Sequence, residues 1–184
     1  MLSDMIDQGV SLSAKLTESD LGVDIMPPML RLNIRLKPAD RTAIQKETGL
    51  TFPSKIGQSV TKNEVLIACL GPDEWGVIAQ YESRGDLEKA LAKASKTFTL
   101  SVTDVSERNV GMFITGPYSN DAINMGCPLD LSLEAFPVGK TVRTVFESAS
   151  IFLRRVDHDD WHIECWRSFA PYIIGFMEKY AREL

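Results

Sequence analysis

Ile67-Ala68-Cys69-Leu70-Gly71-Pro72-Asp73-Glu74-Trp75 and Met112-Phe113-Ile114-Thr115-Gly116-Pro117-Tyr118-Ser119-Asn120-Asp121 share one design. Each is a short apolar run that stops at Gly-Pro and continues in polar, turn-favouring residues. Glycine accepts backbone angles that other residues resist, and proline fixes its own φ and cannot donate to a ladder. The pair ends a strand and launches a turn or the first turn of a helix. Two copies in one small chain point to two related half-units.

The segments around these copies carry the same two periods. Leu30, Leu32, Ile34 and Leu36 alternate with Arg31, Asn33, Arg35 and Lys37, which is a strand with one buried and one polar face. A helix is expected from Pro38, with Ala39, Ala43 and Ile44 inward and Gly49 as its C-terminal cap. Residues 50–62, with Pro53 and Gly57, read as a loop. Residues 64–70 and 75–81 read as strands joined through Gly71-Pro72. Ser83 with Asp86 resembles a capping box, and Leu87, Ala90, Leu91 and Ala94 form a helical stripe. Residues 97–105 are rich in strand formers, with Phe98, Leu100 and Val102 on one face.

The second half repeats the pattern. Residues 109–115 read as a strand, and 117–125 as a short helix closed by Gly126. Val138, Val142, Thr144 and Phe146 mark another strand. Residues 151–156 and 161–166 flank Asp157-His158-Asp159-Asp160 as a hairpin. The last helix is capped by Ser168, with Phe169, Tyr172, Ile173, Phe176, Met177 and Tyr180 as its stripe. The fold class expected is α+β, with helices packed on antiparallel sheets.

The 184 residues suit one domain or two small, tightly joined lobes, and 44% hydrophobic with 24% charged residues is a folded composition. A net charge of −5 without a basic block speaks against nucleic acid as a partner. No apolar run reaches the roughly 18 residues a membrane span needs. Residues 1–10 carry Asp4 and Asp7 and no Lys or Arg, which does not fit a secretory signal. Cys69, Cys127 and Cys165 are far apart and odd in number, so reduced, buried thiols in a cytoplasmic protein are expected. Residues 1–27 read as an arm that ends at Pro27-Pro28, leaving 28–184 as the folded domain. Its apolar residues, among them Leu2, Ile6, Leu12, Leu21, Val23 and Ile25, are too many for a solvated tail. The arm is therefore expected to order itself only on another surface.

Candidate chemistry is sparse. Asp157-His158-Asp159-Asp160-Trp161-His162 holds metal-ligating residue types, but its spacing matches no defensible metal site and suits a solvated turn. His158 and His162 are the only imidazoles available as a base, and no Gly-x-Ser-x-Gly, Cys–His or Gly-x-Gly-x-x-Gly signature accompanies them. Arg143 and Arg167 lie in apolar surroundings. Each either binds carboxylates and carbonyls within the fold, or faces a partner or an anionic ligand. Trp75 and Trp166 read as core or interface residues. Trp161, beside the turn, is expected to be more exposed and thus an interface residue. No catalytic residue is visible.

Four segments in order carry a resemblance. They are Leu70-Gly71-Pro72-Asp73-Glu74-Trp75, Gly126-Cys127-Pro128-Leu129-Asp130-Leu131, Phe136-Pro137-Val138-Gly139-Lys140-Thr141-Val142-Arg143-Thr144 and Arg167-Ser168-Phe169-Ala170-Pro171-Tyr172. Together they resemble the gamma subunit of heterotetrameric sarcosine oxidase, from about Leu32 to the C-terminus. Gly76-Val77-Ile78-Ala79 departs from the bulky leucine run usual there. The resemblance implies a fold similar to the folate-binding domain of the glycine-cleavage T-protein. It also implies alpha, beta and delta subunits as partners, with FAD, FMN, NAD and zinc held by those partners and no cofactor in this chain. The assembly would oxidise sarcosine to glycine, reduce oxygen to hydrogen peroxide and pass the one-carbon unit to tetrahydrofolate. This chain would be a non-catalytic subunit whose arm contacts a partner. The alternative is a free-standing tetrahydrofolate-binding protein of the aminomethyltransferase type.

Overall fold

After a short first strand, β1 (Gly22–Ile25), the alternating segment forms β2 (Met29–Leu36). Its four even-numbered residues, Leu30 to Leu36, are buried, as period two requires. The computed structural model describes residues 20–184, which divide into two compact units. One unit runs from Met29 to Ser106. The other takes the described residues up to Pro28 together with Glu107–Leu184.

In the first unit β2 is followed by a 3-10 turn at Pro38–Asp40 and by α1 (Arg41–Thr48). Gly49 closes α1 with φ 74°, the left-handed cap that glycine supplies. Ala39 and Ala43 are exposed and Ile44 alone of the three is buried, so the inward face of α1 is narrower than expected. The expected loop gives way at its end to β3 (Ser59–Lys62), which turns at Asn63-Glu64 into β4 (Val65–Cys69). Both turn residues have positive φ, the requirement of a two-residue hairpin that follows the twist of its strands. β5 (Glu74–Gln80), α2 (Arg84–Ala94) and β6 (Leu100–Asp104) complete the unit. Ser83 makes no side-chain cap bond, so the expected capping box does not form. The sheet order is β3-β4-β5-β2-β6, every neighbour antiparallel. Ile44, Leu87 and Leu91 join the buried face of β2 in one core. Burying each such side chain stabilises by about 1.5–3 kcal/mol.

The second unit holds β7 (Asn109–Thr115), α3 (Ser119–Asn124), β8 (Thr141–Phe146), β9 (Ala149–Asp157), β10 (Asp160–Trp166) and α4 (Ala170–Ala181). Its order is β1-β7-β10-β9-β8, again antiparallel throughout. Ser168 does not cap α4. A 3-10 turn at Arg167–Phe169 intervenes, and the helix starts one turn later. Its buried face is accordingly Ala170, Ile173, Ile174, Met177 and Ala181, with Tyr172 turned outward.

The two units share one topology. In each, a strand leads through a helix into a three-strand meander whose last strand pairs with the first, and a second helix follows. β6 flanks the first strand in one unit, and β1 takes that place in the other. The Gly-Pro copies are not equivalent positions within it. Gly71-Pro72 turns β4 into β5, whereas Gly116-Pro117 leads from β7 into α3.

This topology corrects the arm. Leu21, Val23 and Ile25 are each no more than 3% exposed and belong to the core of the second unit. Backbone pairing of Gly22–Ile25 with Met112–Thr115 holds them there. The part of the arm formed by residues 1–19 lies outside the described residues.

Candidate functional site

The hairpin of β9 and β10 carries a buried polar arrangement centred on Arg155. Arg155, near the end of β9, is 1% exposed. Its Nη1 donates to the carbonyls of Leu131 at 2.7 Å and Phe136 at 2.9 Å. Its Nε and Nη2 donate to the carbonyl of His158 at 3.1 and 2.6 Å, and Nη2 also reaches Asn120 Oδ1 at 3.2 Å. Five donors in a rigid fork are what a lysine could not supply. Burial lowers the guanidinium's pKa, and the negative charge of Asp159 opposes that shift. A guanidinium starts so high that it keeps its charge.

Trp161 lies beneath this fork. The Arg155 guanidinium sits 4.6 Å from its ring centroid, and Phe136 packs on it at 5.1 Å. The indole N–H donates to the same Asn120 Oδ1 at 3.0 Å. Trp161 is 0% exposed, which overturns the expectation of an exposed interface tryptophan. The pairing with β7 turns its ring to the core side of the sheet, and the polar handle finds its partner inside.

Two of the resembling segments meet at Arg155. Leu131 closes one and Phe136 opens the other, and Lys140 of the second also donates to the Ala135 carbonyl. These motifs therefore hold an irregular stretch between α3 and β8 in place. Arg155 itself was missed because an arginine within Leu153-Arg154-Arg155-Val156 looks like any solvated strand residue. Its one sequence signal is that it falls in phase with Ile151 and Leu153.

The two histidines do not converge. His158 is exposed at the turn and meets Asp159 at 2.9 Å. His162 and Glu164 are each 2% exposed in their side chains and lie 3.0 Å apart on the opposite face of β10 from Trp161. Phe113 and Phe152 flank the imidazole at 5.3 and 5.8 Å. Among the described residues, no three His, Cys, Asp or Glu side chains could hold a metal ion. All three cysteines are buried, and none of them forms a disulfide. Burial raises the pKa of Cys69 and outweighs the lowering effects of the Gly71 backbone and the Arg41 charge, and its thiol donates to the Gly71 carbonyl at 3.3 Å.

The remaining expected residues separate. Trp75 is buried in the first unit, donates to the Pro53 carbonyl at 2.9 Å and meets Phe52 edge-on at 5.8 Å. Arg143 is exposed on β8. Arg167 is 40% exposed in its side chain and reaches Glu107, 3.8 Å away. Trp166, expected in a core or interface, is 49% exposed, with Phe169 at 6.2 Å and Arg108 at 6.0 Å.

Residues 35–183 match the sarcosine oxidase, gamma subunit family. The chain belongs to this family. The four segments that carried the resemblance all lie within the matched range. The chain is 26% identical over 146 residues to the sarcosine oxidase subunit gamma of Corynebacterium sp. (strain P-1), covering 77% of this chain and 71% of that one. It is 26% identical over 152 residues to the subunit gamma of Corynebacterium sp. (strain U-96), covering 80% and 72%. A chain of the heterotetrameric sarcosine oxidase from Corynebacterium sp. U-96, solved with pyrrole 2-carboxylate, has the same fold. The TM-score is 0.80 at 20% identity over 93% of this chain and 91% of that one. Aminomethyltransferase T of the glycine cleavage system from Bartonella henselae shares the fold at a TM-score of 0.64 and 14% identity, over 86% of this chain but 45% of that one. The T-protein-like α+β fold expected from the family is therefore present.

Proposed function

We propose that this chain is the gamma subunit of a heterotetrameric sarcosine oxidase and serves it as a structural, non-catalytic subunit. The observation that carries this reading is the family match over residues 35–183. The polar groups of the β9–β10 hairpin agree with it, since Arg155, Trp161, His162 and Glu164 are all buried and engaged with protein partners. The complex would convert sarcosine, oxygen and tetrahydrofolate into glycine, hydrogen peroxide and 5,10-methylenetetrahydrofolate.

In this reading alpha, beta and delta subunits carry the chemistry with FAD, FMN, NAD and zinc. Zinc finds no cluster of ligands among the described residues. A cavity of about 390 Å³ between α2 and β6 has mostly apolar walls, and its two carboxylates, Glu88 and Asp104, are both paired with Arg84. Trp75 and Trp161 serve their own cores, and Arg143 and Arg167 keep the interface role in this reading. The partner contact first assigned to residues 1–27 is proposed only for those before Asp20. None of the described helices is long and apolar enough to cross a membrane, and a cytoplasmic location fits the reduced thiols.

Co-expression with the remaining subunits tests the reading. The chain is expected to elute with a flavin-containing partner, and the chain alone to form no hydrogen peroxide from sarcosine. A chain that elutes alone from such a preparation overturns it. Calorimetry with tetrahydrofolate covers the aminomethyltransferase alternative, which a Kd below roughly 100 μM, about −5.5 kcal/mol, would favour.

A further inference from the structure

Among the described residues, β6 ends its sheet in the order β3-β4-β5-β2-β6. The Val105 N–H donates to the Arg31 carbonyl at 2.9 Å, and Leu32, Ile34 and Leu36 stand opposite Asp104, Val102 and Leu100. Antiparallel pairs alternate between bonded and non-bonded. Leu100, Val102 and Asp104 therefore turn their backbone N–H and C=O to the open side. Their side chains share the helix-facing side of the sheet with Leu32. There the groove of about 390 Å³ opens between α2 and β6, lined by Leu32, Leu91, Ala92, Leu100 and Val102 together with Ser95 and the Arg84-paired carboxylates of Glu88 and Asp104. Val102 is 39% exposed although it points to the core side.

Natural sheets blunt free edges with basic residues, prolines or bulges. Of the other outer strands, β3 carries Lys62, β8 carries Arg143, and β1 is only four residues long and stops before Pro27-Pro28. β6, Leu100-Ser101-Val102-Thr103-Asp104, has no basic residue, no proline and a regular register. Its single charge, Asp104, is held by Arg84 and Ser106.

We propose that β6 is the docking edge for an extended segment of a partner subunit, apolar at alternate positions, which adds to the sheet as a sixth strand. This rests on the reading of the chain as a subunit of an oxidase complex. The row of open backbone groups selects an extended backbone, and the groove selects apolar side chains two residues apart. A second copy of the chain fits less well. Antiparallel self-pairing centred on Val102 places Leu100 opposite Asp104, a carboxylate against an apolar side chain.

The test uses the full chain co-expressed with the other oxidase subunits. Val102→Pro removes one open-side N–H and no bond to β2, and Val102→Lys puts a charge into the groove. Both are expected to weaken assembly at least tenfold in sedimentation, with the far-ultraviolet circular dichroism of the isolated chain unchanged. Thr103→Lys, on the other face of the same strand, is expected to assemble normally. In the wild-type complex, hydrogen exchange at the amides of Val102 and Asp104 is expected to slow relative to the isolated chain. If Val102→Pro unfolds the chain, Val102→Lys and the exchange measurement decide. Wild-type assembly with unchanged assembly of Val102→Lys and no added protection overturns the edge proposal alone. Failure of the wild-type chain to assemble overturns the subunit reading beneath it. An isolated-chain dimer that Val102→Lys dissolves assigns the edge to a second copy and also overturns the proposal.

Discussion

The guanidinium of Arg155 lies 4.6 Å from the ring centroid of Trp161, and both side chains share Asn120 Oδ1 as an acceptor. The hairpin thus closes the core of its unit with a charge, an indole and three main-chain carbonyls in one buried arrangement. Such a network is secure when complete and costly when broken, because each orphaned buried group loses water without gaining a partner.

Arg155→Met preserves bulk but leaves the carbonyls of Leu131 and Phe136 without this donor. At about 1–3 kcal/mol per unsatisfied buried group, the loss is expected to be about 3–5 kcal/mol in urea unfolding. Arg155→Lys retains the charge and is expected to lose less. A loss below about 1 kcal/mol for the Met variant would remove Arg155 from its structural role.

The two Gly-Pro copies are expected to respond differently to alanine. Gly116 has φ 99°, and a Cβ there would stand 2.6 Å from the Asp20 carbonyl oxygen. Gly116→Ala is expected to cost about 2 kcal/mol or more, since both the backbone angle and the approach of the chain entering β1 must change. At Gly71 the nearest atom to a Cβ is the Glu74 Cβ at 3.4 Å, ordinary contact. Gly71→Ala is expected to stay within about 1 kcal/mol. Thermal scans of the two variants side by side check this.

Removing Met1–Met26 takes away all of β1 with the buried Leu21, Val23 and Ile25. Each loses about 1.5–3 kcal/mol of burial, so the truncated chain is expected to unfold more than ten degrees lower or not to fold. An unchanged melting temperature would show that this strand is dispensable, as a partner-bound arm would be.

Asp104 provides a pH dependence. Burial alone would raise its pKa, but hydrogen bonds from the Ser106 hydroxyl and N–H and from Arg84 outweigh it and lower the folded value. A lowered folded pKa stabilises the fold above the unfolded value of about 3.9, and the gain is lost as pH falls through the folded value. The stability difference between wild type and Asp104→Asn is therefore expected to be constant near neutrality and to shrink below about pH 4. Urea unfolding at pH 7, 5 and 3 measures it, and a difference that grows on acidification would reverse the sign of the argument.

The family was legible from four segments, and most elements from periodicity. Leu30 to Leu36, Asn109 to Thr115 and the hairpin strands fell where alternation placed them, because a sheet with one buried face imposes period two on its own residues. Helix starts were less legible. Ser83 and Ser168 look like caps, yet 3-10 turns precede α2 and α4 and carry the chain past them. Turn geometry there is set by how the preceding strand ends, which local propensity does not encode.

The chain's own residues determined that two antiparallel, helix-covered halves would form and to which family they belong. Tertiary structure alone decided that β1 completes the second half. Four residues, Gly22–Ile25, ahead of a Pro-Pro pair have too little pattern to reveal a partner strand some ninety positions away. It alone decided that Arg155 and Trp161 would be buried together. A charged residue and a tryptophan beside a turn read as surface until the strand register turns both inward onto carbonyls that no sequence displays.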